Sequence, residues 1–148
     1  MIGIASDHGG YELKEQIKNY LNGINYQVID YGTMVDASVD YPDYAFKIGE
    51  SIASKGIKLG IVICKTGIGM SIACNKVKGV RCAKVSNVEE AYLTRLHNDS
   101  NVIAIGADLD IEEACNIVET FIKTSFSNEE RHIRRINKIT EYEEKHEY

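Results

Sequence analysis

The chain has 148 residues, of which 44% are hydrophobic and 26% charged, and its formal net charge is -5. This suits one globular domain with a substantial core. The acidic balance argues against nucleic-acid binding, which favours a basic face, and no apolar run approaches the roughly 20 residues needed to span a bilayer.

The N-terminus, "MIGIASDHGG", shows no basic segment and no cleavage pattern. Cys64, Cys74, Cys82 and Cys115 form no C-x-x-C pair and no metal-ligand spacing. Both features predict a cytoplasmic protein with reduced thiols and no metal.

An apolar strand is predicted over 2–6, then a helix over 11–22 with Leu13, Ile17, Tyr20 and Leu21 on one face and Gly23 as its stop. A second strand covers 27–32, and Pro42 opens a helix that runs to about Ser54. The run "LGIVIC", 59–64, is apolar without alternation, so it reads as a strand buried on both faces. A helix over about 68–77, a strand over 81–86 and a helix over 88–98 follow. The last repeat is a strand over 101–107 and a helix over 111–124. Residues 127–148 form a charged helix with a thin apolar stripe at Ile133, Ile136 and Ile139, a pattern suited to lying across a partner subunit.

Five strand–helix repeats predict an α/β protein: a Rossmann-like, doubly wound three-layer sandwich around a five-stranded parallel sheet, in the order 2-1-3-4-5. Such sheets bind ligands beyond the carboxyl ends of their strands, near the switch point between strands 1 and 3. That rule selects "SDHGG" after the first strand and "CKTGIG" after the third.

Backbone amides at a helix start point outward unpaired, and the helix dipole adds positive potential. Gly67 and Gly69 let this loop approach a ligand closely, so "KTGIGMS" is a cradle for an oxyanion. The same field favours a thiolate, which makes Cys64 a candidate base or nucleophile. Cys74, Cys82 and Cys115 read as small core residues. Asp7 and His8 stand at the matching tip of strand 1, where Asp7 is equally suited to capping the first helix. His97 ends a helix, where the dipole favours its charged form. Arg131 and Arg135, four apart on one helical face beside His132, suit a phosphate clamp or a solvated surface.

Several chemistries fit poorly. A dinucleotide site wants G-x-G-x-x-G after strand 1, whereas Gly67 and Gly69 follow strand 3 and Ile72 occupies the third position. A cysteine phosphatase loop needs an arginine where Met70 stands, and a phosphoacceptor domain needs an aspartate where Cys64 stands. A binding module without catalysis leaves Cys64, Asp7 and His97 without a shared purpose. An aldose–ketose isomerase for sugar phosphates gives them one. It needs a base to move a proton between C1 and C2, a cradle for the enediolate, and groups to open the sugar ring.

The segments "SDHGGYELK", "VIDYGT", "VDYPDYA", "GIVICKTGIGMSIACNK", "GVRCAKV", "RLHNDSNVIAIGA" and "RHIRRINKI" carry a resemblance over nearly the whole chain. In this order the chain resembles the ribose-5-phosphate isomerase B family, to which the galactose-6-phosphate isomerase subunits also belong. The resemblance implies that Cys64 is the proton-shuttling base and that Thr66, Gly67, Ile68, Gly69 and Met70 form the enediolate cradle. His97 is implied as the ring-opening acid/base and Asn98 as a hydroxyl ligand. Asp7, His8 and Tyr41 are implied as substrate contacts, and Arg131 and Arg135 as phosphate ligands. It further implies a homodimer or homotetramer with active sites shared between subunits, no metal and no cofactor.

Two positions depart from the family pattern. Lys65 stands where the family usually has glycine, which predicts backbone strain of roughly 1 kcal/mol there. Asp108 stands where the family usually has an arginine facing the phosphate. The two changes are expected to compensate, Lys65 either pairing with Asp108 or taking over the arginine's role. A different substrate, allose 6-phosphate or galactose 6-phosphate, and a weakened enzyme remain open alternatives.

Overall fold

The computed structural model describes residues 1–146, and the end of the predicted last helix, 147–148, lies outside the described residues. Its centre is a parallel sheet of five strands: β1 (Ile2–Ser6), β2 (Val28–Asp30), β3 (Leu59–Cys64), β4 (Cys82–Lys84) and β5 (Val102–Gly106). Among the described residues, six α-helices follow the predicted alternation: α1 (Tyr11–Gly23), α2 (Tyr41–Ala53), α3 (Ile68–Cys74), α4 (Val88–Asn98), α5 (Ile111–Lys123) and α6 (Glu130–Lys145).

Alternation along each central strand divides the core into two layers. Ile2, Ile4, Ile61, Ile63, Ile103 and Ile105 face α1 and α5, where they meet Ile17, Leu21, Ile117 and Phe121. Ala5, Val62, Cys64 and Ala104 face the other way, against Ile48 of α2 and Met70 and Cys74 of α3. The predicted three-layer sandwich is therefore present.

The strand order differs from expectation in its last two members: it is β2-β1-β3-β5-β4. β5 is buried along its whole length, whereas β4 is short, only partly buried, and carries Arg81 and Lys84 at its ends. The interior goes to the strand that is apolar on both faces, and the charged one becomes the edge. The swap matters for the site, because it pairs Cys64 directly with Gly106. The loop after β5 thus becomes the neighbour of the loop after β3.

Some boundaries also moved. α3 stops at Cys74 because the Asn75 side chain turns away to bridge β4: its Oδ1 accepts from the Cys82 N–H at 2.8 Å and its amide donates to the Cys82 carbonyl at 2.9 Å. α6 starts at Glu130 and buries only His132, leaving Ile133 and Ile139 of its apolar stripe exposed. Its start is tied to the end of α4 by a hydrogen bond from the Ser127 N–H to the Leu96 carbonyl at 3.1 Å.

Candidate active site

β3 delivers Cys64, 6% exposed, to the carboxyl edge of the sheet. The chain then turns through Lys65 and Thr66 to Gly67, which caps α3 with φ +81°. This turn aims the Gly67 N–H at the Cys64 sulfur, 3.2 Å away, while the Ile68 N–H goes to the Thr66 hydroxyl at 3.2 Å. Gly69 and Met70 follow in the first turn, where a helix leaves its N–H groups without intrahelical acceptors. A Cβ on Gly67 would lie 2.9 Å from the Ile105 carbonyl carbon, and one on Gly69 would strike the Tyr41 ring at 2.7 Å. Glycine is needed at both points, and the second contact places Tyr41 over the cradle.

Asp7 and His8 arrive beside this loop from β1. The Asp7 N–H donates to the Ile63 carbonyl at 3.2 Å, and one Asp7 carboxylate oxygen accepts from the Gly10 N–H at 3.1 Å. Asp7 therefore does cap the turn that opens α1. The His8 Nδ1 accepts from the Val39 N–H at 3.2 Å, so in the neutral ring the proton sits on Nε2. This bond fastens the loop before Tyr41 to the site, a role for Val39 that carries no side-chain signal in the sequence.

The loop after β5 closes the third side. The Ala107 N–H donates to the carbonyls of Cys64 and Lys65 at 2.9 and 3.2 Å. Lys65 and Asp108 do not pair: among the described residues no ion pair joins them. Asp108 Oδ1 folds back to within 2.7 Å of the Cβ position of Gly106, while the Cβ of Lys65 lies beside Gly9. The expected strain at residue 65 is also absent, since the non-glycine residues with positive φ are Asn25, Lys55, Asp99 and Asn128. Lysine fits this turn because the left-handed step falls on Gly67.

His97, Asn98, Arg131 and Arg135 form a separate cluster at the opposite edge. The His97 ring lies 4.6 Å from that of His132, whose Nδ1 is 2.8 Å from the Ser127 hydroxyl. Burial, with Arg131 and His97 nearby, holds His132 below the usual imidazole range. Arg131 reaches Glu129 at 3.1 Å, and Arg135 is exposed. Asn98 precedes β5, whereas Cys64 pairs with Gly106 at its far end. Four residue steps at about 3.3 Å put about 13 Å of sheet between these edges. One chain alone does not bring His97 to Cys64.

The network beneath the β1 loop was not anticipated. Lys14, with no exposed surface, donates to Asp30 at 2.6 Å, and Asp30 accepts from the Gly32 N–H at 2.8 Å. Gly32 and Thr33 in turn bracket Ser6 through two 2.8 Å backbone bonds, one residue before Asp7. The "ELK" and "VID" segments hold these residues, but a lysine beside an apolar face reads as a surface group.

Comparison with known proteins gives a consistent picture. The family described as Ribose/Galactose Isomerase matches residues 2–139. A ribose-5-phosphate isomerase B of Mycolicibacterium paratuberculosis is 41% identical over 146 residues, 97% of this chain and 92% of the relative. The solved ribose-5-phosphate isomerase B of Clostridium thermocellum superposes with a TM-score of 0.94 at 47% identity, covering 97% of each chain. That of Mycoplasma genitalium, solved with bound ribulose-5-phosphate, has a TM-score of 0.92 at 41% identity, covering 98% of this chain and 97% of the other.

Proposed function

The chain belongs to the ribose/galactose isomerase family, and on that footing we propose that it interconverts ribose 5-phosphate and ribulose 5-phosphate through an enediolate. The choice of the pentose draws on the Mycoplasma genitalium relative with its bound ketose phosphate. The chemistry is carried by one observation: the Cys64 sulfur lies 3.2 Å from an amide at the start of α3.

Cys64, as the thiolate, removes the C2 proton of the open-chain aldose. The electron pair moves into the C1–C2 bond, and charge collects on the C1 oxygen. The amides between Thr66 and Met70 face that charge; the O2 hydroxyl proton then passes to O1 as the C2 carbonyl forms, and the thiol returns its proton to C1, which regenerates the thiolate. Asp7, His8 and Tyr41 contact the sugar from the same chain.

We assign ring opening and phosphate binding to the second cluster of another copy, a reading that the distance between the edges supports. His97 of the partner subunit exchanges the ring proton, Asn98 of the partner subunit holds a hydroxyl, and the partner's Arg131 and the partner's Arg135 clamp the phosphate. Ile133 and Ile139 stand 39% and 54% exposed along the thin apolar stripe of α6, a surface suited to such a partner. The assembly is a homodimer, or a homotetramer built from such dimers. Four free cysteines fit a reducing compartment such as the cytoplasm, and among the described residues no helix is long and apolar enough to cross a membrane.

The deciding experiment assays the purified protein against ribose 5-phosphate, allose 6-phosphate and galactose 6-phosphate. Turnover of the pentose is expected, and it should vanish in Cys64→Ala while the fold persists. No turnover of any of the three would leave a sugar-phosphate-binding module instead.

A further inference from the structure

The turn that closes α4 is held by two arginines to which the isomerase reading gives no role. Arg95 stands two residues before His97 and is 8% exposed, a burial that a charged group tolerates only when its donors find acceptors. Its Nη1 donates to the Asp99 carboxylate at 2.9 Å and to the Ser100 carbonyl at 2.7 Å, and its Nε donates to the Thr124 carbonyl at 3.1 Å. Arg81 reaches the same turn from the residue before β4. Its Nε donates to the Asn98 carbonyl at 3.1 Å and its Nη2 to the Asp99 carbonyl at 2.9 Å. Its backbone N–H is itself fixed by the Asn101 side chain at 2.8 Å.

Asp99 lies between the two guanidinium groups in the left-handed region, with φ 46° and ψ 42°. Aspartate enters this region more readily than most residues, and here Arg95 holds its carboxylate and Arg81 its carbonyl. That step ends the helix directly after His97 and Asn98, and so sets the direction in which both side chains leave the chain. Arg95 also grips the other half of the cluster. Thr124 is where α5 ends, and the segment from there leads into α6, which carries Arg131 and Arg135. The Ser127 N–H bond to the Leu96 carbonyl and the His97–His132 ring contact join the same two segments.

We propose that Arg95 and Arg81 are positioning residues: by clamping the 98–100 turn they hold His97 where it can open the sugar ring and set its distance from the phosphate-binding arginines. This rests on the reading of His97 as the ring-opening group. The action is indirect, because the donors named above go to the protein's own chain.

The test compares two reactions in the unaltered protein, Arg81→Gln and Arg95→Lys. Arg95→Lys keeps the buried charge, so that the chain folds, but replaces the planar fork by a point donor that cannot serve all three acceptors. Thermal melting confirms that both variants are folded at the assay temperature. Conversion of ribose 5-phosphate requires its ring to open. Ribulose 5-phosphate is open-chain, since its O5 carries the phosphate, and it exchanges a C1 proton with D2O through the Cys64 step without ring opening. Conversion of the aldose should fall at least about tenfold in each variant, whereas deuterium uptake into saturating ketose should fall less than about threefold. In the unaltered protein a nuclear Overhauser contact should join the His97 and His132 rings, whose centroids are 4.6 Å apart, and it should weaken in both variants. A contact unchanged in both variants, or equal losses in the two reactions, overturns the proposal. No turnover by the unaltered protein would sink the isomerase reading itself, whereas an unchanged contact with turnover intact would sink only this assignment.

Discussion

The Gly67 N–H donates to the Cys64 sulfur at 3.2 Å because Gly67 takes a left-handed backbone step that a side chain would oppose. An added methyl would meet the Ile105 carbonyl carbon at 2.9 Å, which is backbone and cannot swing aside. Gly67→Ala is therefore expected to cost about 2 kcal/mol or more in urea unfolding. The rate constant kcat should fall at least about tenfold as the amide swings off the sulfur. Gly23→Ala is the control: nothing lies within 4 Å of its Cβ position, so stability should hold or rise by about 0.5 kcal/mol.

The buried Lys14–Asp30 pair predicts how the fold responds to acid. Burial pushes the Asp30 carboxyl up, but the bonds from Lys14, the Gly32 N–H and Lys18 outweigh it and hold the group below the ordinary carboxylate range. Glu15 is held low by Lys14 against the effect of burial. The unfolded chain then binds protons first as pH falls through about 4, so the stabilisation is complete above that range and lost below it. Melting temperature should drop between about pH 5 and pH 3. Asp30→Asn should flatten that dependence and cost about 3 kcal/mol at pH 7, since Lys14 stays buried with a weakened partner. Lys14→Met should cost less, because Asp30 keeps Lys18 at 2.9 Å and Gly32 at 2.8 Å.

The cysteines should separate by reactivity. Contact with Cys74, then burial, pushes the Cys82 thiol well above its ordinary value, and burial with Glu119 nearby raises Cys115. Both stay protonated at neutral pH, and the thiolate is the reacting form. In limited iodoacetamide labelling at pH 7, Cys64 should be modified before either of them. Faster labelling of Cys82 than of Cys64 would contradict the assignment of Cys64 as the activated thiol.

Most of the fold was legible because apolar runs and helical stripes alternate cleanly along this chain. The β4–β5 order was the exception, and chain order was a poor guide to it: "VIAIG" is apolar on both faces, while Arg81 and Lys84 flank "CA". The Cys64 loop was legible from its glycines, and the resemblance added Tyr41, which meets Gly69 only in three dimensions. Strain at Lys65 was misjudged because the left-handed angle belongs to Gly67, two residues on. The separation of His97 from Cys64 follows from topology: a helix that precedes a strand ends at the strand's starting edge, away from the carboxyl ends. Lys14 gave no signal, since its burial depends on Asp30, sixteen residues away.

That separation yields a test of the shared site. If each site takes Cys64 from one chain and His97 from the other, then Cys64→Ala and His97→Asn are both inactive alone. In a mixed dimer one site carries both lesions and the other carries neither. Random reassociation of equal amounts makes half the dimers mixed, with one of two sites intact in each, so about a quarter of the original activity should return. Sites contained within single chains would give no recovery. The assay is turnover of ribose 5-phosphate after co-refolding, with each variant refolded alone as the baseline.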